Sequence, residues 1–85
     1  MSGIRIDKWL WAARFFKTRS LATDAVSGGK IKLNGGPTKP AREVKAGDQL
    51  DVFNGDTRWE VIVRALSEKR GPASEARLLY EETAE

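Results

Sequence analysis

At Gly28-Gly29 the apolar residues of this chain change their period, and that switch limits the chain to helices first and strands after them. Before it, Ile6, Trp9, Leu10 and Ala13 recur at helical spacing, and Leu21, Ala22, Ala25 and Val26 do so again. After it, Ile31 and Leu33 alternate with Lys30, Lys32 and Asn34, the pattern of a strand with one buried face. The spacing predicts a first helix over 6–16, with Asp7 in its first turn where the helix dipole favours a carboxylate. A second helix follows Thr18, its expected N-cap, and stops at Gly28 or Gly29, which can take the left-handed conformation of a helix end.

Asn34-Gly35-Gly36 predicts a tight turn, while Pro37 and Pro40 restrict the following segment to a loop or an edge piece. Ala46-Gly47-Asp48 is a turn into a strand at 49–53, and Asn54-Gly55-Asp56 connects it to a longer strand over 58–66, with Trp59, Val61, Val63 and Ala65 on one face. Turns this short make the sheet antiparallel. Ala76, Leu79 and Tyr80 are spaced as a C-terminal helix over 73–83, and the final residues are expected to fray. The fold class is α+β: two N-terminal helices packed on a small antiparallel sheet, plus a C-terminal helix. The 85 residues make one domain, 1–85, too small for a deeply enclosed active site.

Charge also divides the chain, after residue 45. Residues 1–45 hold ten cations against three anions, a net +7, while residues 46–85 hold five cations against nine anions, a net −4. A polyanion is the expected partner of the first half, nucleic acid ahead of membrane. With no Cys and no His, disulfides, thiolate or imidazole metal sites and catalysis through either side chain are excluded. Asp48 and Asp51 read as turn and strand-face carboxylates rather than a catalytic pair, and the glycine pairs lack a nucleotide-binding context. No apolar run is long enough for a membrane span or a signal peptide, so a soluble, cytoplasmic, monomeric protein without enzyme activity, metal or cofactor is expected.

Arg5 and Lys8, three apart, share a face, and Lys17, Arg19 and Ser20 gather where the second helix begins and its free N–H groups favour a phosphate. Lys30 and Lys32 project from the strand opposite Ile31 and Leu33. Together these pieces can follow a phosphate backbone; the alternative is that they are ordinary solvated charges. Trp9 belongs to the core stripe. Trp11 lies about 200° away around the helix, so it is either a stacking platform for a base or is covered by a second layer. The C-terminal helix, through Leu79 and Tyr80, is the favoured cover, with Phe15 and Phe16 in the same contact.

Four ordered blocks carry a family resemblance: Arg5 to Leu10, Lys17-Thr18-Arg19-Ser20-Leu21-Ala22, Gly28 to Gly35, and Val44 to Leu50. Over residues 4–53 the chain resembles the RNA-binding domain of the ribosomal protein S4 type, the alpha-L motif. The resemblance implies that structured RNA is held between the helix pair and the first strand, and it places the RNA face on Arg5, Lys8, Arg14, Lys17, Thr18, Arg19, Ser20, Lys30, Lys32 and Asn34. Arg14 has an alternative partner in an acidic residue of the C-terminal helix.

The run Lys8 to Phe15, Pro72 to Ala76 and Leu79 to Glu85 resemble the bacterial heat shock protein 15 family across nearly the whole chain. That resemblance implies binding to ribosomal RNA and peptidyl-tRNA on the large (50S) ribosomal subunit carrying a stalled nascent chain, and help in recycling it after heat stress. Weak binding to DNA is a further expectation. The family implies a basic C-terminal tail, whereas this sequence closes on Glu81-Glu82-Thr83-Ala84-Glu85, so a binding core weaker than a tailed protein is expected. Two other readings remain open: the RNA-guiding domain of an RNA-modifying enzyme such as a pseudouridine synthase, and a protein-interaction module acting through an acidic C-terminal helix.

Overall fold

The computed structural model describes residues 3–67 and 70–83. In chain order the elements are β1 (Ile4–Arg5), α1 (Ile6–Ala12), α2 (Arg19–Ser27), β2 (Ile31–Leu33), β3 (Gly36–Pro37), β4 (Glu43–Val44), β5 (Gln49–Asn54), β6 (Thr57–Val63), α3 (Ala73–Ala76), a 3-10 turn (Arg77–Leu79) and β7 (Tyr80–Glu82). The five-stranded antiparallel sheet has the order β3-β2-β5-β6-β7, and β1 and β4 form a separate two-stranded ribbon. The architecture is the expected α+β arrangement of two helices on an antiparallel sheet. Among the described residues no helix is long and apolar enough to cross a membrane.

Both predicted periods mark the core. Ile6, Trp9 and Leu10 of α1 and Ala22 and Val26 of α2 pack with Ile31, Leu50, Val52, Val61 and Val63 of the sheet, all buried. Trp9 is fully buried, and its indole Nε1–H donates to the Ala65 carbonyl at 3.0 Å, so its polar atom is not stranded in the interior.

Helix α1 ends at Ala12, four residues earlier than its spacing predicts. Arg14 takes the left-handed conformation, with φ 69°. Its N–H donates to the Trp11 carbonyl and that of Phe15 to the Leu10 carbonyl, both at 3.0 Å, which is the Schellman pattern of hydrogen bonds. A left-handed arginine costs roughly 1–2 kcal/mol. Burial of the Phe15 and Phe16 rings offsets it, since each large apolar side chain contributes about 1.5–3 kcal/mol. Phe15 then packs on Tyr80, Trp59 and Trp9, with ring centroids 4.8, 5.7 and 6.0 Å away. Helix α2 ends by the same device with the expected glycine: Gly29, at φ 81°, donates to Val26, and Lys30 donates to Ala25.

The C-terminal helix over 73–83 is not what forms. Only Ala73–Ala76 is α-helical, and after the 3-10 turn the chain becomes β7, pairing Tyr80 with Val63, Ile62 with Glu81 and Val61 with Glu82. An eleven-residue helix is marginal in water, whereas this strand satisfies the open edge of β6. Glu81 and Glu82 are therefore paired rather than frayed, while Ala84 and Glu85 lie outside the described residues. The strand predicted over 58–66 stops at Val63, because the N–H groups of Arg64 and Ala65 both turn to the Leu79 carbonyl, at 2.8 and 3.2 Å.

Trp11 is half-buried, but its cover is Arg70 and not the C-terminal helix. The Arg70 guanidinium lies 6.0 Å from the Trp11 ring centroid, and its Nε donates to the Trp11 carbonyl at 3.1 Å. Leu79 and Tyr80 belong instead to the main core, Tyr80 against Trp9 and Phe15. The short pair β1–β4 is also absent from the sequence reading, since two residues are too few to show a period.

Candidate nucleic-acid interface

Helix α1 begins directly from β1. Arg5 pairs with Glu43 across the ribbon, and the Ile6 N–H donates to the Arg42 carbonyl at 2.7 Å. This join puts the Asp7 side chain inside, only 1% exposed. Arg5 donates through Nε to Asp7 Oδ1 at 3.2 Å and through Nη2 to Oδ2 at 3.0 Å. From α2, the Thr23 hydroxyl donates to Oδ2 at 2.9 Å, and Arg19 Nη2 lies 3.6 Å from Oδ1. Burial pushes the Asp7 carboxyl up, but the hydrogen bonds from Arg5 and Thr23 and the charges of Arg5 and Arg19 outweigh it, so its pKa lies below the usual carboxylate value.

Asp7 therefore acts as a buried clamp that holds two cations from different elements side by side. The side chains of Arg5 and Arg19 remain 48% and 44% exposed, so guanidinium groups not engaged with Asp7 can meet an anion. Beside them α2 begins. Thr18 is extended and its Oγ1 accepts from the Leu21 N–H at 3.1 Å, which leaves its hydroxyl proton to donate outward. The N–H groups of Arg19 and Ser20 belong to the first turn, where helix geometry supplies no partner. Lys17, Thr18 and Ser20 are all exposed at this end.

Three adjoining depressions extend this surface around α2. The first is lined by Arg5, Asp7, Arg19, Ser20, Thr23 and Asp24. Asp24 also borders the second, where Leu21, Lys30 and Phe53 meet. Lys30 and Phe53 in turn border the third, with Gly29 and Lys32. The structure thus brings Arg5, Arg19, Ser20, Lys30 and Lys32 onto one continuous surface. Lys30 and Lys32 are exposed while Ile31 and Leu33 are buried, as the alternation predicts.

The other predicted residues sit differently. Lys8, on α1, is half-buried. Arg14 lies apart from these depressions and donates through Nε to the Gly71 carbonyl at 2.8 Å, rather than to an acidic side chain. Asn34 occupies the left-handed position of the β2–β3 turn, where its Oδ1 accepts from the Gln49 N–H at 2.9 Å and its Nδ2 points to Asp48 at 3.4 Å. Its side chain is thus engaged in holding the turn to β5. Asp7 and Thr23 were missed by sequence reasoning, because a first-turn carboxylate has a sufficient local explanation and their contact crosses 16 residues. Phe53 was legible: it alternates with the buried Leu50 and Val52 and so faces outward.

Among the described residues no group of carboxylates is arranged to hold a metal ion. Asp48 serves its turn, accepting from the Lys45 N–H at 3.0 Å, and Asp51 lies 3.7 Å from Arg58.

The S4 domain model matches residues 4–50. Heat shock protein 15 of Escherichia coli K12 is 54% identical over 82 residues, covering 96% of this chain and 62% of that protein, so the chain spans less than two thirds of that relative. The RQC P-site tRNA stabilizing factor of Bacillus subtilis is 37% identical over 65 residues, 76% of each chain. Among solved structures, that of Vibrio cholerae heat shock protein 15 superposes with a TM-score of 0.93 at 47% identity, covering 98% of this chain and 84% of that one. That protein is described as trimeric, which runs against the monomer expected from the sequence. With the helix pair, the first strand and the cationic surface between them all inside the matched segment, the chain belongs to the S4 domain family and is similar to its heat shock protein 15 members.

Proposed function

We propose that this domain binds structured RNA without performing chemistry on it, and that its target is the large ribosomal subunit carrying a stalled nascent chain on peptidyl-tRNA, which it helps to recycle after heat stress. The observation that carries the reading is the Asp7 clamp, which presents Arg5 and Arg19 together beside the open N-terminus of α2. Two guanidinium groups fixed at that spot match phosphate oxygens, and the strand lysines continue the same surface. Selectivity then comes from the shape of the RNA rather than from base sequence. The names of the relatives support the choice of target, since one is a heat shock protein and another stabilizes P-site tRNA. Such a role belongs in the cytoplasm, where ribosomes are.

Purified protein mixed with large subunits with and without peptidyl-tRNA, and with small subunits, tests this in a single sedimentation experiment. The expected order is strongest binding to large subunits that carry peptidyl-tRNA. Equal binding to all three removes the recycling role and leaves a general RNA binder; no binding to any removes both.

A further inference from the structure

Two of the large apolar side chains that the fold leaves outside meet in one groove. Phe53, 38% exposed, and Leu21, 49% exposed, come from β5 and α2 and share the second depression described above, with Asp24 at its border. A single exposed hydrophobic residue is ordinary. Two from different elements, adjoining one another on the cationic surface, form an apolar patch of the kind that marks a binding site. Lys30 lines this depression too and, with Lys32 and Phe53, lines the third, and neither lysine forms an ion pair with the described residues. The ring is held in place by the Arg58 guanidinium, 5.7 Å from its centroid, which is itself bonded to Glu60 at 2.6 Å.

We propose that this is a nucleotide subsite in which one unpaired RNA base stacks on Phe53 against Leu21 while its phosphate lies on Lys30 and Lys32. The proposal rests on the RNA-binding reading above and adds to it a requirement for an unpaired nucleotide. A base offers a flat apolar face and its phosphodiester a single negative charge, and the two depressions supply a match for each: Phe53 and Leu21 for the base, Lys30 where the depressions meet and Lys32 in the third for the phosphate. Asp24 fixes the direction: its carboxylate repels a phosphate from the Leu21 side and can accept a hydrogen bond from an exocyclic amine of adenine, cytosine or guanine. An apolar protein segment would also fit beside Leu21, but it leaves the two lysines unexplained.

The test compares a fully paired RNA duplex with the same duplex carrying one bulged adenine. Wild type is expected to bind the bulged form more tightly, and Phe53→Ala to lose roughly 5- to 150-fold on that form, the range of base stacking on an aromatic ring, with little change on the paired duplex. Phe53→Trp should retain the preference. Placing 2-aminopurine at the bulge gives a reading from the unaltered protein, in which stacking quenches its fluorescence on binding. Equal affinities of wild type for the two RNAs, an equal loss on both RNAs in Phe53→Ala, or an unquenched bulge overturns the subsite while leaving RNA binding intact. Failure of wild type to bind either RNA overturns the RNA reading itself.

Discussion

Replacing Asp7 with asparagine removes one negative charge from the clamp and turns one of its acceptors into a donor facing guanidinium groups. The structure gives Asp7 three hydrogen bonds, at 2.9, 3.0 and 3.2 Å, and a further arginine at 3.6 Å. A hydrogen bond to a charged group contributes about 1.5–3 kcal/mol, and breaking a fully buried pair costs about 3–5 kcal/mol. Arg5 and Arg19 are nearly half-exposed and regain water when released, so the lower end applies and a net loss of about 2 kcal/mol is expected. For a domain of this size that corresponds to a fall in Tm of about 8–16 °C. The pH dependence separates this cause from a packing defect. The folded pKa of Asp7 lies below its unfolded value of about 3.9, so its stabilisation is present above that value and is lost as pH falls through the folded pKa. Urea titrations of both proteins at pH 7, 5 and 3 should show a gap that is full at the first two and narrower at the third. Equal stability at pH 7, or a gap that stays constant to pH 3, would refute the clamp.

Salt dependence checks the surface as a whole. With about five phosphates neutralised, log affinity for RNA should fall against log salt with a slope of roughly −3.5 to −4.5, and Arg19→Ala should flatten it by about 0.7 to 0.9. Gly29→Ala should destabilise by about 1 kcal/mol through its φ of 81° alone, because nothing lies within 4 Å of the added methyl, while Gly36→Ala, whose φ is not positive, serves as a control of small effect; chemical denaturation reads both. Arg70→Ala removes the bond to the Trp11 carbonyl and the cover of its ring, with an expected loss of about 1–2 kcal/mol and a shift of Trp11 fluorescence toward that of a solvated indole.

Local pattern alone settles the two helices and the strands β2 and β5 in the first two thirds of the chain, and which of their sides are buried, though not the short β1–β4 pair or the end of α1. Helical spacing in Ile6, Trp9 and Leu10, alternation in Ile31 and Leu33, and the turn glycines are local rules, set by backbone geometry and by the removal of apolar surface from water. The cationic half and its N-cap threonine were legible for the same reason. Tertiary structure decided what local rules leave degenerate. Ala76, Leu79 and Tyr80 fit a helix equally well, but the open edge of β6 and the space beside Trp9 and Phe15 draw the chain into β7. Arg14 has no local reason to be left-handed; burial of the two phenylalanines imposes it. Asp7 shows the division most plainly. Its place in the first turn was readable, but its function as a clamp required Arg19 and Thr23 from another helix, and only the packing of α1 on α2 brings a buried carboxylate within reach of both.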